Sequence, residues 1–261
     1  MVTRLLAFAL VLAALPAQAA LTFEEGVARD PGSLALLYRE HHLVRRADGK
    51  PTERLVIYRC ADGTPFARKR VDYRGSVLAP EFSFEDARQG YREGLRRESV
   101  GGVGTVWVRD GVGESERSAT LDDPAARLVA DAGFDEFIRR HWQPLVAGQS
   151  VPLRFAVPSR LQSLGFKVDR QDPQQLGQEQ AETFRLRLGG VLGWIAPHID
   201  VAYGRESRRL LRFEGLSNLR SDDGRSQLVA RIEFPAPAVQ AAEAQWRTAE
   251  RQPLSACRVR A

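Results

Sequence analysis

From Val151 to Phe234 the chain repeatedly alternates apolar and polar residues with a period of two. Val151, Leu153, Phe155 and Val157 alternate with Pro152, Arg154 and Ala156; Phe184, Leu186 and Leu188 alternate with Thr183, Arg185 and Arg187. Leu211 and Phe213 alternate with Leu210, Arg212 and Glu214, and Leu228, Ala230, Ile232 and Phe234 with Val229, Arg231 and Glu233. Successive side chains of a strand point to opposite faces, so this pattern asks for strands with one dry and one wet face. Antiparallel sheets supply such faces.

The first half carries the same signal more faintly. Leu55 to Cys60 reads as a strand, Asp62-Gly63 as its turn and Phe66 to Tyr73 as the returning strand, because Asp and Gly tolerate the left-handed turn conformation. Glu81 to Glu85 and Leu95 to Val100 are weaker strand candidates, and after Gly101-Gly102 the segment Val103 to Arg109 alternates Val106 and Val108 with Thr105 and Trp107. The period changes in the middle. Asp122 or Asp123 with Pro124 opens a short helix, and Ala132 to Trp142 follows in helical style. There Phe134, Phe137, Ile138 and His141 fall on one stripe, and Pro144 ends the pattern. Pro235 and Pro237 stop the last strand, after which Ala238 to Gln252 reads as a small helix with Val239, Ala242 and Trp246 on one side. The expected fold is mainly β with a few helices: a curved antiparallel sheet or incomplete β-barrel wrapped around one amphipathic helix. The expected organisation is one β-rich domain over residues 20–235, with a C-terminal helix and tail over 236–261 packed on it.

Residues 1–19 read as a secretory leader. Arg4 precedes an 11-residue apolar run, Leu5 to Leu15, and Ala17-Gln18-Ala19 supplies the small residues of a cleavage site. The run is too short to remain as a membrane-spanning helix, which needs roughly 20 residues. No later stretch spans either; Val191 to Ile199 is short and interrupted by Pro197. The expected location is the periplasm, and the mature chain is expected not to span a membrane.

The net charge is +5, and only Lys50, Lys69 and Lys167 among the 38 basic residues are lysine. The charges are mixed along the chain rather than clustered, which argues against nucleic acid as a partner. Arginine codons are GC-rich, so a GC-rich genome is one reading of the bias, set against a functional one. Guanidinium forks also suit the phosphate and carboxylate headgroups that an exported protein meets. Cys60 and Cys257 are the only cysteines. An even pair in an exported chain points to a disulfide, the alternative being two free thiols.

The patterns of known chemistries are absent. There is no H-E-x-x-H, no Cys/His cluster, no G-x-S-x-G and no P-loop, so neither metal nor cofactor is expected. His41 and His42 are adjacent in a strand and point to opposite faces; His141 reads as a core histidine, and His198 falls in a loop-like stretch. Glu81 and Glu85 share one strand face. They are either a solvated face or an acid/base pair acting on a glycan. Val191-Leu192-Gly193-Trp194-Ile195 is either a short buried helix or an apolar lid.

Arg208-Arg209-Leu210-Leu211-Arg212-Phe213-Glu214-Gly215, the Asp222-Asp223-Gly224 turn and the strand ending at Phe234 resemble the closing strands of the periplasmic LolA/LolB-type carriers. Those proteins wrap a lipophilic cavity in an incomplete β-barrel under a helical lid. The resemblance, one of pattern over Leu34 to Phe234, implies a non-enzymatic protein that binds a lipid or another apolar small molecule. The expected lining is Phe184, Leu186, Leu188, Leu211, Phe213, Leu228 and Ile232, with Trp194 in the lid. Each acyl CH₂ transferred there from water would contribute about 0.8 kcal/mol. Against this stands tight packing of the same residues on the Phe134/Phe137 helix, since interiors normally leave few voids. A second function class remains open: an envelope adaptor that holds a protein partner on an arginine-rich face or a sheet edge.

Overall fold

The alternating segments form strands of a single sheet. A computed structural model of the protein describes residues 20–99, 101–123, 127–190 and 198–259. The leader, Pro124 and the Val191–Ile195 segment with Trp194 lie outside these. In chain order the strands are β1 (Ala20–Arg29), β2 (Leu36–Ala47), β3 (Lys50–Arg59), β4 (Pro65–Asp72), β5 (Glu81–Asp86), β6 (Tyr91–Arg97), β7 (Gly104–Arg109) and β8 (Arg117–Leu121). A two-residue β9 (Leu128–Val129) then leads into the helices α1 (Gly133–Arg140) and α2 (Trp142–Val146). The second series is β10 (Val151–Val157), β11 (Gln162–Leu176), β12 (Glu179–Leu188), β13 (Ile199–Gly204), β14 (Leu210–Arg220) and β15 (Gln227–Glu233). A short β16 (Val239–Gln240) and the helix α3 (Glu243–Arg251) complete the order.

The sheet runs β8-β7-β6-β5-β4-β3-β2-β1-β15-β14-β13-β12-β11-β10-β9, with β16 also on β1. Two antiparallel meanders are thus sewn together where β1 pairs β15; the β9–β10 pair is parallel. The sheet curls without closing. Its ends approach, with β8 beside β11, but no ladder joins them among the described residues. Asp123, just past β8, spans the seam by accepting from Arg154 Nε on β10 at 2.8 Å and from the Ser163 hydroxyl on β11.

Cross-strand register defines the inner face. Glu24, His42, Val56, Lys69, Phe84, Glu93 and Val108 are successive partners across β1 to β7. In the other meander Ile232, Phe213, Val201 and Phe184 are successive partners across β15 to β12. The second row is apolar, whereas the first mixes charge with hydrocarbon.

The expected amphipathic helix lies inside. Phe134, Phe137 and Ile138 of α1 are buried together with Trp142, Leu145, Phe184, Leu186, Val201 and Tyr203. Burial of each large apolar side chain stabilises by roughly 1.5–3 kcal/mol. The helix breaks at His141, one residue before the expected end, and Pro144 sits in the first turn of α2 rather than terminating α1. The missing proline N–H is free there in any helix, so the ring is tolerated. α3 lies outside, with Trp246 buried against Leu21, Leu43, Leu55 and Ile57.

The cysteines are joined, Cα to Cα 6.6 Å, across 197 positions. The bond ties the tail to the end of β3. Arg59 Nη2 donates to Gln252 Oε1 at 2.6 Å, Ser255 N donates to Pro65 O at 2.9 Å, and Val259 N donates to Asp222 Oδ1 at 3.2 Å.

Candidate functional site

The expected apolar lining is only partly assembled. Phe184 and Leu186 lie on the inner face but are covered by the helices, with the Trp142 and Phe184 ring centroids 5.7 Å apart. Phe184 has 0 % of its surface accessible. A side chain beside a water-sized void would show accessible area, so none adjoins it. Phe213 is half-buried against the same cluster, and Leu188 is half-buried. Leu228 and Ile232 belong to a neighbouring cluster with Tyr38, Tyr58 and Phe66.

Leu211 departs from the expected face. The β13–β14 register shifts between Ala202 and Tyr203, which pair with Arg212 and Leu210 respectively. The extra residue reverses the alternation. Leu211 consequently packs with Ala181 and Ala202, while Leu210 takes a place beside Phe213.

Polar side chains cross the interior instead. Lys69 Nζ on β4 donates to Asp131 Oδ1 at 2.6 Å, ahead of α1, and to Asn218 Oδ1 on β14 at 2.9 Å. Asn218 Nδ2 donates onward to Glu93 Oε1 at 2.7 Å, and Tyr91 OH donates to Glu93 Oε2 at 2.7 Å. Burial pushes the Glu93 carboxyl up from its usual range, against the pull of its Tyr91 and Asn218 donors. Nearby, Arg54 Nη2 on β3 reaches Asp135 Oδ2 at 3.3 Å, and Tyr203 OH on β13 donates to Asp135 Oδ1 at 2.8 Å. Burial raises the Asp135 carboxyl, but Arg54 and Arg139 outweigh it and hold the group below its ordinary value. Asp131 adopts a left-handed backbone, φ 43°, and its Oδ2 is buried without a partner. The helix is therefore pinned to both meanders by buried charge.

None of these interior residues was expected as a site. Their sequence signal is slight: a lysine in a chain of arginines, at a strand position in register with Phe84.

Glu81 and Glu85 serve the outer face. Glu85 lies 3.2 Å from Arg68 and 2.8 Å from Arg92, and Glu81 accepts the Arg97 backbone N–H at 3.1 Å. Both are engaged structurally. The two strand histidines do face opposite ways. His42 bonds Glu40 inside at 2.7 Å, and His41 bonds Glu25 outside at 3.2 Å. His198 is exposed, 3.6 Å from Asp200. No group of three potential metal-ligating side chains occurs among the described residues, and no described helix is long and apolar enough to cross a membrane.

Surface cavities among the described residues include two of note. One, of about 310 Å³, lies outside the sheet beneath α3, floored by Phe23, Leu43 and Ile57 with Arg59 and His41 at its mouth. Arg59 Nε donates to His41 Nδ1 at 3.2 Å. Burial, then the Arg59 charge, lowers the affinity of His41 for a second proton. The other, of about 240 Å³, lies where α1 meets α2 and is flanked by Arg127, Arg140 and His141. None of the expected lining residues that the structure describes borders either cavity.

No protein-family model matches the chain, and no curated protein matches it. Among solved structures it is similar to the crystal structure of a β-barrel-like protein of a domain of unknown function, DUF1849, from Brucella abortus. That likeness has a TM-score of 0.49 at 8% identity, over 86% of this chain and 99% of the other.

Proposed function

We propose that the chain is a non-enzymatic periplasmic adaptor, a braced barrel-like body that holds an envelope partner on its exterior. The observation that favours this over lipid carriage is the complete burial of Phe184, central to the expected lining, beneath Trp142. A carrier needs apolar surface that its ligand can reach. Here the inner face is spent on helices, and ion pairs from β3 and β4 fasten those helices in place. The exterior offers more to a partner. Arg92, Arg96, Arg117 and Arg205 each keep about half of their side-chain surface exposed. The leader pattern and the cysteine pair fit export to an oxidising compartment.

Native mass spectrometry of the protein purified from its own periplasm tests this reading. A complex with a second polypeptide and no lipid mass supports it. A stoichiometric lipid released on unfolding sinks it and restores the carrier, with the helices moving aside to admit the chain.

A further inference from the structure

The pocket at the α1–α2 junction has the composition of an anion site. Three basic residues flank it, Arg127 before β9, Arg140 in the last turn of α1 and His141 at the helix break, and no acid lines it. Flanking acids are occupied elsewhere. Asp123 is held by Arg154, Asp131 by Lys69, Asp135 by Arg54 and Glu136 by Arg139. Neither Arg127 nor Arg140 has an ion pair or a side-chain hydrogen bond among the described residues, whereas Arg54, Arg139 and Arg154 each hold an acid. His141 is oriented. Its Nδ1–H donates to Phe137 O at 2.9 Å and its ring packs on Phe137, centroids 4.3 Å apart, which leaves Nε2 without a protein partner.

We propose that this pocket binds a phosphate monoester. Two guanidinium forks present paired donors to an anion, and a phosphate monoester offers them three terminal oxygens where a carboxylate offers two. The remaining wall is Leu78, Val129, Phe137 and Pro152, suited to the carbon next to the ester oxygen. At about 240 Å³ the pocket is smaller than the roughly 300–1,000 Å³ of a drug-sized site, so it admits a headgroup and not an acyl chain. The bound group is a lipid headgroup or a free phosphate ester; both present the same chemistry to the arginines. This goes beyond the adaptor reading and does not depend on it.

Isothermal titration of the full mature chain with inorganic phosphate, glycerol 3-phosphate and dihexanoyl phosphatidic acid tests the proposal. Dihexanoyl phosphatidylcholine, which lacks a monoester, is the control. The expected result is binding of the monoesters and not of the choline lipid, weakened at least about tenfold in Arg127→Gln and in Arg140→Gln. Arg225→Gln, an exposed change in the turn before β15, is expected to leave affinity unchanged. Tighter binding of phosphatidic acid than of glycerol 3-phosphate assigns the site to a lipid headgroup; equal affinities assign it to a soluble ester. No monoester binding at millimolar concentration overturns the proposal. So does affinity that survives in folded Arg127→Gln/Arg140→Gln, or that falls equally in Arg225→Gln.

Discussion

At the scale of single residues, the informative ones are charges placed where an alternating pattern would put hydrocarbon. Lys69 and Asp131 lose most of their solvent, with side-chain exposures of 12% and 4%. Removing one partner of such a pair leaves the other charged and dry. Lys69→Met is expected to destabilise by roughly 3–5 kcal/mol, with part of the loss recovered in Lys69→Met/Asp131→Asn; urea unfolding at pH 7 measures both. Asp135 gives a pH signature. Its carboxyl titrates below the ordinary value of 3.8 in the folded chain, so its stabilisation is present above that pH. The contribution is lost as acid protonates the folded group. Asp135→Asn is expected to lower stability at pH 7 and to lose less than the parent between about pH 4 and pH 2; urea midpoints across that range decide the matter. None of these three residues was legible as interior. A binary apolar/polar pattern assigns every charge to the wet face, and only strand register shows that Lys69 is in line with Phe84.

Elements were more legible than their irregularities. The stripe of Phe134, Phe137 and Ile138 marks the helix that fills the curled sheet, because a period of 3.6 stands out among periods of two. The break at His141 and the β14 bulge at Leu211 carry no comparable mark. A bulge depends on the pairing strand as much as on its own residues. Docking of α1 is close. A Cβ at Gly133, the first residue of α1, would lie 2.0 Å from the Leu78 carbonyl oxygen, a backbone atom with little room to retreat. Gly133→Ala is expected to cost about 1–3 kcal/mol through overpacking, read as a lower unfolding midpoint by circular dichroism. An unchanged midpoint would mean that the Leu78 turn shifts freely.

Over the whole molecule, two long-range joins organise the curl. One is the β1–β15 ladder, which turns two meanders into one sheet. The other is the Cys60–Cys257 bond, which holds the tail across the ends of β3 and β4. Closing so long a loop stabilises by up to about 5 kcal/mol in the chain-entropy model. Reduction with dithiothreitol is expected to lower the unfolding free energy by up to that amount and to speed tryptic cleavage after Arg251, while the oxidised chain resists; mass spectrometry of the digest reports it. Equal cleavage rates would show that α3 and the tail stay docked without the bond.

The amino-acid order alone settled the fold class, most strands of the second meander, the filling helix and the even cysteine pair. Those features depend on local period and composition, which a chain carries within a few neighbouring residues. The direction in which the sheet curls, the charges that brace its interior, the face taken by Leu211 and the basic pocket at the helix break were decided by tertiary structure. Each requires residues far apart in the chain to meet, as Lys69 meets Asp131 and Asn218. Alternation says which side chains share a face; it does not say what stands opposite them.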